Sequence, residues 1–292
     1  MSSAIVTGAT GILGREIVDR LAQNPEQWKT IYAISRSQRD QYPPNIKHGF
    51  IAKDLQGVEA EYVFFAAYLQ KDSEKENWDA NGDMLRNFLA ALEKTGAADK
   101  IKRILLITGA KQYGVHRCVP SNPMEDSEPW HREDPPLPPI FYNLQQDILR
   151  AFCERHPNVS WTVKYPNDVI GFAKDNYMRL ATTLGIYAAI TRELGRDLEF
   201  PGSETFYTKF DCFTSARLHA EFCEGLERDA FDKATWSYLG FVLGRNFDLV
   251  ISMSKAREMG WTGWADTWQS LQDFFGQLET EKILPRAYGY AR

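Results

Sequence analysis

The sequence lacks several features that would assign it to broad classes of protein. It has no stripe of basic residues, and 39 acidic side chains outnumber 34 basic ones to give a net charge of −5, so we expect no nucleic-acid partner. No apolar run approaches the length that crosses a bilayer, and the first residues have the pattern of a strand rather than a signal peptide. We therefore expect no membrane partner. Four cysteines without paired metal-ligand spacing predict reduced thiols, no metal site and a cytoplasmic location.

Apolar stretches of strand length alternate with stretches of helical periodicity along the chain. This order predicts an α/β fold, a Rossmann-type doubly wound parallel sheet. We place that domain at residues 1–170, including a proline-rich loop at 110–139, and a smaller, mostly helical substrate-side region at 171–292. The predicted strands after the first are 30–36, 51–55, 62–68, 102–109, 159–166 and a short one within 198–203.

Three glycines, Gly8, Gly11 and Gly14, separate the first apolar strand from a helical pattern. In a dinucleotide fold such glycines permit a tight turn, the approach of a pyrophosphate, and close packing of helix on strand. A plain strand–turn–helix is the alternative. Because the motif has the strand and the helix that it requires, we favour nucleotide binding and predict cofactor contacts at Thr7, Gly8, Thr10, Gly11, Ile12 and Gly14.

The second strand ends in Ser35-Arg36, with Arg39 nearby, where an NAD site usually has an acid. A guanidinium matches a phosphate, so we expect NADPH rather than NADH, although an exposed loop arginine is the alternative. After the third predicted strand, Asp54-Leu55 is expected at the adenine, unless Asp54 only begins a turn. The small pair Ala66-Ala67 ends the fourth strand and would let the cofactor lie close.

The stretch 110–139 leaves the carboxyl end of the fifth strand, where ligands bind in open α/β sheets. Long irregular loops in compact domains are usually functional, so we expect it to form one wall of the active site. It contains His116 and His131, whose ordinary pKa lies near neutrality. We interpret both as ordinary loop residues.

Several stretches resemble the extended short-chain dehydrogenase/reductases, and more specifically the progesterone 5β-reductase/iridoid synthase-like enone reductases. The most specific are TGAKQYG at 108–114 and FY at 141–142; others are SR at 35–36, WTV at 161–163, GF at 171–172, FPGS at 200–203 and SMSKA at 252–256. The resemblance implies that Tyr142 is the acid or oxyanion donor and that Lys111 assists it. It also implies that Thr108, Lys111 and Tyr142 contact the cofactor, and that Tyr113 and Phe141 line the substrate pocket. A neighbouring ammonium is expected to lower the pKa of the tyrosine.

The sequence departs from the family pattern at several positions. Ordinary short-chain dehydrogenases have a lysine four residues after the catalytic tyrosine, and here that residue is Gln146. Asn143 replaces a second tyrosine, and Tyr165 replaces an arginine before the proline of the sixth strand. The segment between about 229 and 236 is several tens of residues shorter than in the plant members, which predicts a more open substrate pocket.

These observations imply an NADPH-dependent reductase of an enone, enal or related carbonyl compound. The shortened segment leaves open a redox-neutral cyclase or isomerase, or a ketone reductase, acting on a natural-product intermediate. A nucleotide-sensing protein without chemistry is a third reading, which the presence of both Lys111 and Tyr142 disfavours. The apolar stretches 184–190 and 264–275 fit either the core or the face of a homodimer.

Overall fold

Six parallel strands form the centre of the computed structural model, which describes residues 1–39, 41–50, 55–130, 140–174, 178–223 and 241–280. Their spatial order is β3-β2-β1-β4-β5-β6, so the order reverses between β1 and β4. In such sheets the crevice for a ligand opens at the carboxyl ends of the two strands that flank the reversal. The strands are β1 (Ser2–Thr7), β2 (Trp28–Ser35), β3 (Ile46–Phe50), β4 (Tyr62–Phe65), β5 (Arg103–Ile107) and β6 (Ser160–Lys164).

Helices cover both faces of this sheet. On one face, α2 (Glu74–Thr95) and α3 (Phe141–Arg155) bury Leu85 and Phe152 against Phe65 of β4. On the other face, α1 (Gly14–Ala22) and α6 (Ala216–Cys223) pack over β1 and β2. Strands buried on both faces must be apolar throughout, which explains the unbroken hydrophobic runs that define the central strands in the sequence. The predicted doubly wound α/β fold is confirmed.

The second half of the chain is mostly helical and shares the core of the first half. Helix α6 lies beyond residue 170, and its residues Ala216 and Ala220 pack in the cluster that contains Ile17 of α1. Phe274 and Leu278 of the last described helix are buried against Phe172 and Ala181. The remaining elements are β7 (Val169–Ile170), α4 (Leu180–Glu193), α5 (Glu204–Tyr207), β8 (Thr214–Ser215), α7 (Ser254–Glu258) and α8 (Thr267–Thr280).

The predicted strands at 51–55 and 198–203 have different outcomes, because most of the first lies outside the described residues and the second is wrong. The third strand is β3 at Ile46–Phe50, before the predicted 51–55, of which 51–54 lie outside the described residues. β3 is an edge strand that pairs only with β2, so it needs one apolar face rather than an apolar run. The segment 198–203 forms no strand, and Leu198 and Phe200 are exposed. Among the described helices, none combines the length and the apolar composition needed to cross a membrane.

Candidate active site

The glycine turn between β1 and α1 lies against the chain that leaves β4. Gly8 has φ +67°, and a Cβ at this position would lie 2.6 Å from the carbonyl oxygen of Ala66. A Cβ at Gly14 would overlap the carbonyl oxygen of Gly8. Only glycine fits these two positions, because one needs a left-handed backbone and both meet main-chain atoms that have no flexible side chain to move.

The start of α1 is left open for an anion. The residue that precedes the helix is Leu13, whose side chain cannot cap the first N–H groups, whereas α2 begins with a full capping box between Ser73 and Glu76. Uncapped N–H groups and the positive end of the helix dipole bind phosphates. The hydroxyl of Thr7, buried at the end of β1, makes no hydrogen bond among the described residues. These residues therefore fit the pyrophosphate of a dinucleotide.

Polar groups gather where β2 ends beside the glycine turn. The Ser35 hydroxyl donates to the carbonyl of Ser37 at 2.6 Å, and His48 Nε2 lies 3.1 Å from both oxygens. The hydroxyls of Thr10 and Ser37 are 2.9 Å apart. His48 reaches this cluster from β3, where it pairs with Ala33 of β2. His48 has no signal in the sequence, because no local pattern indicates which residue of a neighbouring strand faces a turn.

The two arginines near the end of β2 have different surroundings. Arg36 is exposed and makes no hydrogen bond or ion pair within the described part of the chain. Arg39 instead forms a two-pronged ion pair with Asp19 of α1, and both side chains are buried. Arg39 is therefore a structural cation, and of the two only Arg36 has a guanidinium ready to bind an anion. Of the pair expected at the adenine, Asp54 lies outside the described residues and Leu55 is buried in the core.

The phenol of Tyr142 and the ammonium of Lys111 lie at the end of β5. A Cβ at Gly109 would be 3.0 Å from the Tyr142 hydroxyl, so the absence of a side chain there admits the phenol. Lys111 follows in a short 3₁₀ turn at Ala110–Tyr113, and its ammonium is 3.2 Å from Glu74 at the start of α2. Thr108, the residue between β5 and Gly109, uses its hydroxyl to donate to the carbonyl of Lys164.

The pKa of Tyr142 is raised well above its ordinary value, not lowered as the sequence analysis expected. Burial has the larger effect and the negative charge of Glu74 adds to it. Glu74 pairs with the ammonium of Lys111, and it was missed by the sequence analysis because it is 37 positions away from that lysine. A phenol that holds its proton is suited to donate a hydrogen bond to a carbonyl oxygen rather than to act as tyrosinate.

The two residues predicted to line the substrate pocket are packed inside the protein. Phe141 is 2% exposed, stacks on Tyr68 with ring centroids 5.8 Å apart, and contacts the Tyr142 ring at 4.3 Å. Tyr113 is 5% exposed and meets Tyr165 edge to face. Their role toward substrate stays a prediction, as do the roles of Tyr142 and Lys111.

Other features of the described residues do not compete with this site. A hollow of about 710 Å³ is lined by Lys29, Glu59 and Lys102, but it lies at the amino-terminal edge of the sheet, opposite the edge where such folds bind ligands. No cluster of ligating side chains that could hold a metal ion occurs in the described ranges, and all four cysteines are free. His131 lies outside the described residues.

Residues 46–277 match the family described as PRISE-like Rossmann-fold domain. The chain belongs to this family. A second match, to the family described as male sterility protein, covers residues 6–64 and so includes the glycine turn. The chain is thus an enzyme of the short-chain dehydrogenase/reductase type with an NAD(P)-binding Rossmann domain, as the resemblance implied.

Three known proteins show how far the likeness extends. The 3-oxo-Delta(4,5)-steroid 5-beta-reductase of Arabidopsis thaliana is 29% identical over 300 positions, which include 89% of this chain and 76% of the plant protein. The (S)-8-oxocitronellyl enol synthase of Nepeta racemosa is 31% identical over 244 positions, 75% of this chain and 60% of its own. A putative epimerase from Burkholderia cenocepacia shares the fold, with a TM-score of 0.64 at 16% identity over 96% of this chain and 98% of that one.

The alignment with the steroid reductase also bears on the shortened segment. It runs over 300 positions, yet it includes only 89% of a chain of 292 residues. The plant protein therefore carries tens of residues that have no counterpart in this PRISE-like enzyme. That they are missing from the second half of the chain stays a prediction.

Proposed function

We propose that this PRISE-like enzyme uses NADPH to reduce the carbon–carbon double bond of an enone or enal. The observation that carries the proposal is the position of the Tyr142 phenol, held at the carboxyl end of β5 beside Gly109 with the Lys111 ammonium in the next turn. Two names support the same chemistry: that of the steroid reductase names a 3-oxo-Delta(4,5) compound that is reduced, and that of the synthase names an enol as its product.

Each residue has a defined part in this reaction. Bound NADPH supplies the hydride, which is added to the β-carbon of the substrate while negative charge accumulates on the carbonyl oxygen. Tyr142 donates a hydrogen bond to that oxygen, and a phenol whose pKa is raised keeps the proton that this bond requires. A proton from water then adds at the α-carbon, so the product gains two hydrogens in total. Lys111 binds the ribose next to the nicotinamide and keeps positive charge near the developing oxyanion.

The preference for NADPH over NADH follows from the end of β2. Ser35 occupies the place where NAD enzymes usually carry an acid, and the exposed guanidinium of Arg36 pairs with no carboxylate of the described residues. The end of β2 is also lined by the hydroxyls of Thr10 and Ser37 and by the ring of His48. A phosphate on the ribose would thus find a cation and several hydrogen-bond donors.

A direct test combines cofactor binding with turnover. NADPH binding is measured by the fluorescence of the reduced cofactor, and its oxidation is followed with a panel of probes that includes 2-cyclohexen-1-one and open-chain enals. We expect Tyr142→Phe to bind NADPH normally and to lose at least about a hundredfold in kcat, the usual loss for one oxyanion donor. Tyr32→Phe is the matched control, because Tyr32 lies on β2 and its hydroxyl accepts an exposed hydrogen bond from the Glu59 N–H. Failure of the wild-type protein to bind NADPH, or unchanged turnover in Tyr142→Phe, contradicts the proposal.

The shortened chain supports a second candidate, a redox-neutral cyclase or isomerase on the same fold. Its support is the lack of tens of residues present in the steroid reductase, because a more open pocket changes which substrate fits. Mass spectrometry of the product separates the two candidates. Reduction raises the mass by two hydrogens and consumes NADPH, whereas cyclisation or isomerisation does neither.

A further inference from the structure

A chain of buried hydrogen bonds runs behind the two proposed catalytic segments. The Tyr165 hydroxyl donates to Gln146 Oε1 at 2.7 Å, and Gln146 Nε2 donates to Gln112 Oε1 at 2.8 Å. Gln112 Nε2 then donates to Asn143 Oδ1 at 2.9 Å. The three amide side chains are between 1% and 4% exposed. All the members are uncharged, so the chain holds its pattern without an ion pair.

This chain of hydrogen bonds connects three separate parts of the fold. Gln112 belongs to the 3₁₀ turn after β5 and directly follows Lys111, while Asn143 directly follows Tyr142 at the start of α3. Tyr165 follows β6, the neighbour of β5 in the sheet. The bond between Gln112 and Asn143 therefore ties the residue after the proposed assisting lysine to the residue after the proposed donor.

Gln146 is the centre of the chain. Its Nε2 also lies 3.3 Å from the carbonyl oxygen of Tyr142, one helical turn earlier, so it touches the backbone of the residue that carries the phenol. This is the position at which ordinary short-chain dehydrogenases have their lysine, and the amide cannot supply a charge there. Gln146 is thus bonded in a single network with Asn143 and Tyr165, the two departures from the pattern of the enone reductases.

We propose that Gln112, Asn143, Gln146 and Tyr165 are positioning residues that fix the Tyr142 phenol relative to the Lys111 ammonium. The inference rests on the proposed function, because it assumes that these two groups act on substrate and cofactor. In this enzyme these four hydrogen-bonded neutral side chains, called the amide relay below, take the place of a lysine on α3. The cation comes instead from the turn after β5. A misplacement of about 1 Å in such a pair is enough to cost up to about a hundredfold in rate.

The test compares two neighbouring buried glutamines. Gln146→Met breaks the relay, whereas Gln145→Met removes an amide of the same helix that is 2% exposed and donates instead to the Asn81 carbonyl of α2. With 2-cyclohexen-1-one and NADPH, we expect Gln146→Met to lower kcat by about tenfold and to leave KM for the enone nearly unchanged. Gln145→Met should keep the wild-type kcat. Should Gln146→Met not fold, Tyr165→Phe removes a single hydroxyl from the relay and should lower kcat in the same direction.

A double variant shows whether the relay acts through Tyr142. In the Tyr142→Phe background, Gln146→Met should have no further effect on kcat, because the group that it positions is already gone. Equal kcat values for Gln146→Met and Gln145→Met, or additive losses in the double variant, would overturn the inference. Both results are distinct from failure of the proposed function, which would appear as wild-type activity in Tyr142→Phe alone.

A second experiment tests the relay by NADPH binding alone and needs no carbonyl substrate. Gln112→Met should weaken NADPH binding by about three- to tenfold through the displaced Lys111, which we propose to bind the ribose. That loss should disappear in a Lys111→Met background. A Gln112→Met variant with wild-type NADPH affinity, or a loss that persists without the Lys111 ammonium, would count against the relay.

Discussion

The ammonium of Lys111 and the carboxylate of Glu74 are 3.2 Å apart and join the turn after β5 to the first turn of α2. Both side chains are about 30% exposed, so water screens the pair only partly. The same carboxylate raises the pKa of the Tyr142 phenol. Glu74 thus acts on both groups of the proposed catalytic pair.

Replacing Glu74 by Gln should shift the pH dependence of turnover. Because the carboxylate raises the pKa of Tyr142, its removal lowers that pKa, and the phenol loses its proton at a lower pH. We expect the alkaline decline of kcat to move toward neutrality, while activity near pH 6 is retained. The measurement is the pH profile of NADPH oxidation with an enone probe.

Asp79→Asn provides the control for Glu74→Gln. It removes an equal charge from the same helix, where Asp79 pairs with Lys75 on the surface. Its pH profile should match that of the wild-type protein. An identical profile for Glu74→Gln would show that the carboxylate does not influence the phenol.

Arg36→Asp should reverse the cofactor preference. An acid at this point repels a ribose phosphate and accepts hydrogen bonds from ribose hydroxyls. We expect the dissociation constant of NADPH to rise by about 10- to 100-fold and that of NADH to fall, since a hydrogen bond to a charged group contributes about 1.5–3 kcal/mol. Both constants are measured by fluorescence titration.

Arg39→Gln is the informative comparison for Arg36→Asp. Arg39 pairs with Asp19, so its replacement removes this ion pair from a buried carboxylate and should lower stability. The NADPH/NADH ratio should stay as in the wild-type protein. A changed ratio in Arg39→Gln, with none in Arg36→Asp, would reverse the assignment of the two arginines.

Much of the fold could be predicted because burial leaves a signal in the local sequence. β1, β4 and β5 lie in the middle of the sheet, and their apolar runs were recognised within two or three residues. β3 gave no such signal, because Lys47 and His48 are allowed on a strand with one partner and one covered face. The helix α6 was found, but its packing on α1 joins residues about 200 positions apart, which no local periodicity encodes.

The site was predictable only in part, because some of its residues come together through contacts between distant parts of the sequence. The glycine turn is local, and its glycines Gly8 and Gly14 are required by a backbone conformation or by contacts within the turn and with the chain after β4. Glu74 reaches the site from the start of α2, and His48 reaches it from β3. No residue near either of them in the sequence indicates these contacts. The raised pKa of Tyr142 depends on burial and on Glu74, whereas the resemblance implies an ammonium beside the phenol and therefore predicted a lowered pKa.

Gly8→Ala should destabilise the protein far more than Gly57→Ala. Both glycines have positive φ, +67° and +75°, and an alanine in that region costs about 1–2 kcal/mol. A Cβ at Gly57 meets nothing within 4 Å, whereas at Gly8 it meets the main chain of Ala66 and Ala67. We expect Gly8→Ala to lose at least twice as much free energy of unfolding, measured in urea. Equal losses would mean that the turn does not pack on β4 as described.

Two buried carboxylates share one guanidinium behind the substrate-side region. Arg245 pairs with Asp168 and, at 2.9 Å, with Asp211, and the three side chains are at most 5% exposed. Asn167 Nδ2 also donates to Asp211 at 2.9 Å. Burial, followed by the repulsion of Asp168, raises the pKa of Asp211 to about 7.

Asp211→Asn should therefore become more stable relative to the wild-type protein as the pH rises. In the wild type the folded state keeps a proton on Asp211 up to about pH 7, while the unfolded state releases it near pH 4, so this contribution to stability is lost between those values. From pH 5 to pH 8 we expect the difference in free energy of unfolding to shift by about 2 kcal/mol in favour of the variant. Urea unfolding at both pH values measures the shift, and Asp79→Asn controls for the change in net charge. Parallel pH dependences for Asp211→Asn and the wild type would show that Asp211 is already ionised in the folded state at pH 5, beside the Arg245 guanidinium.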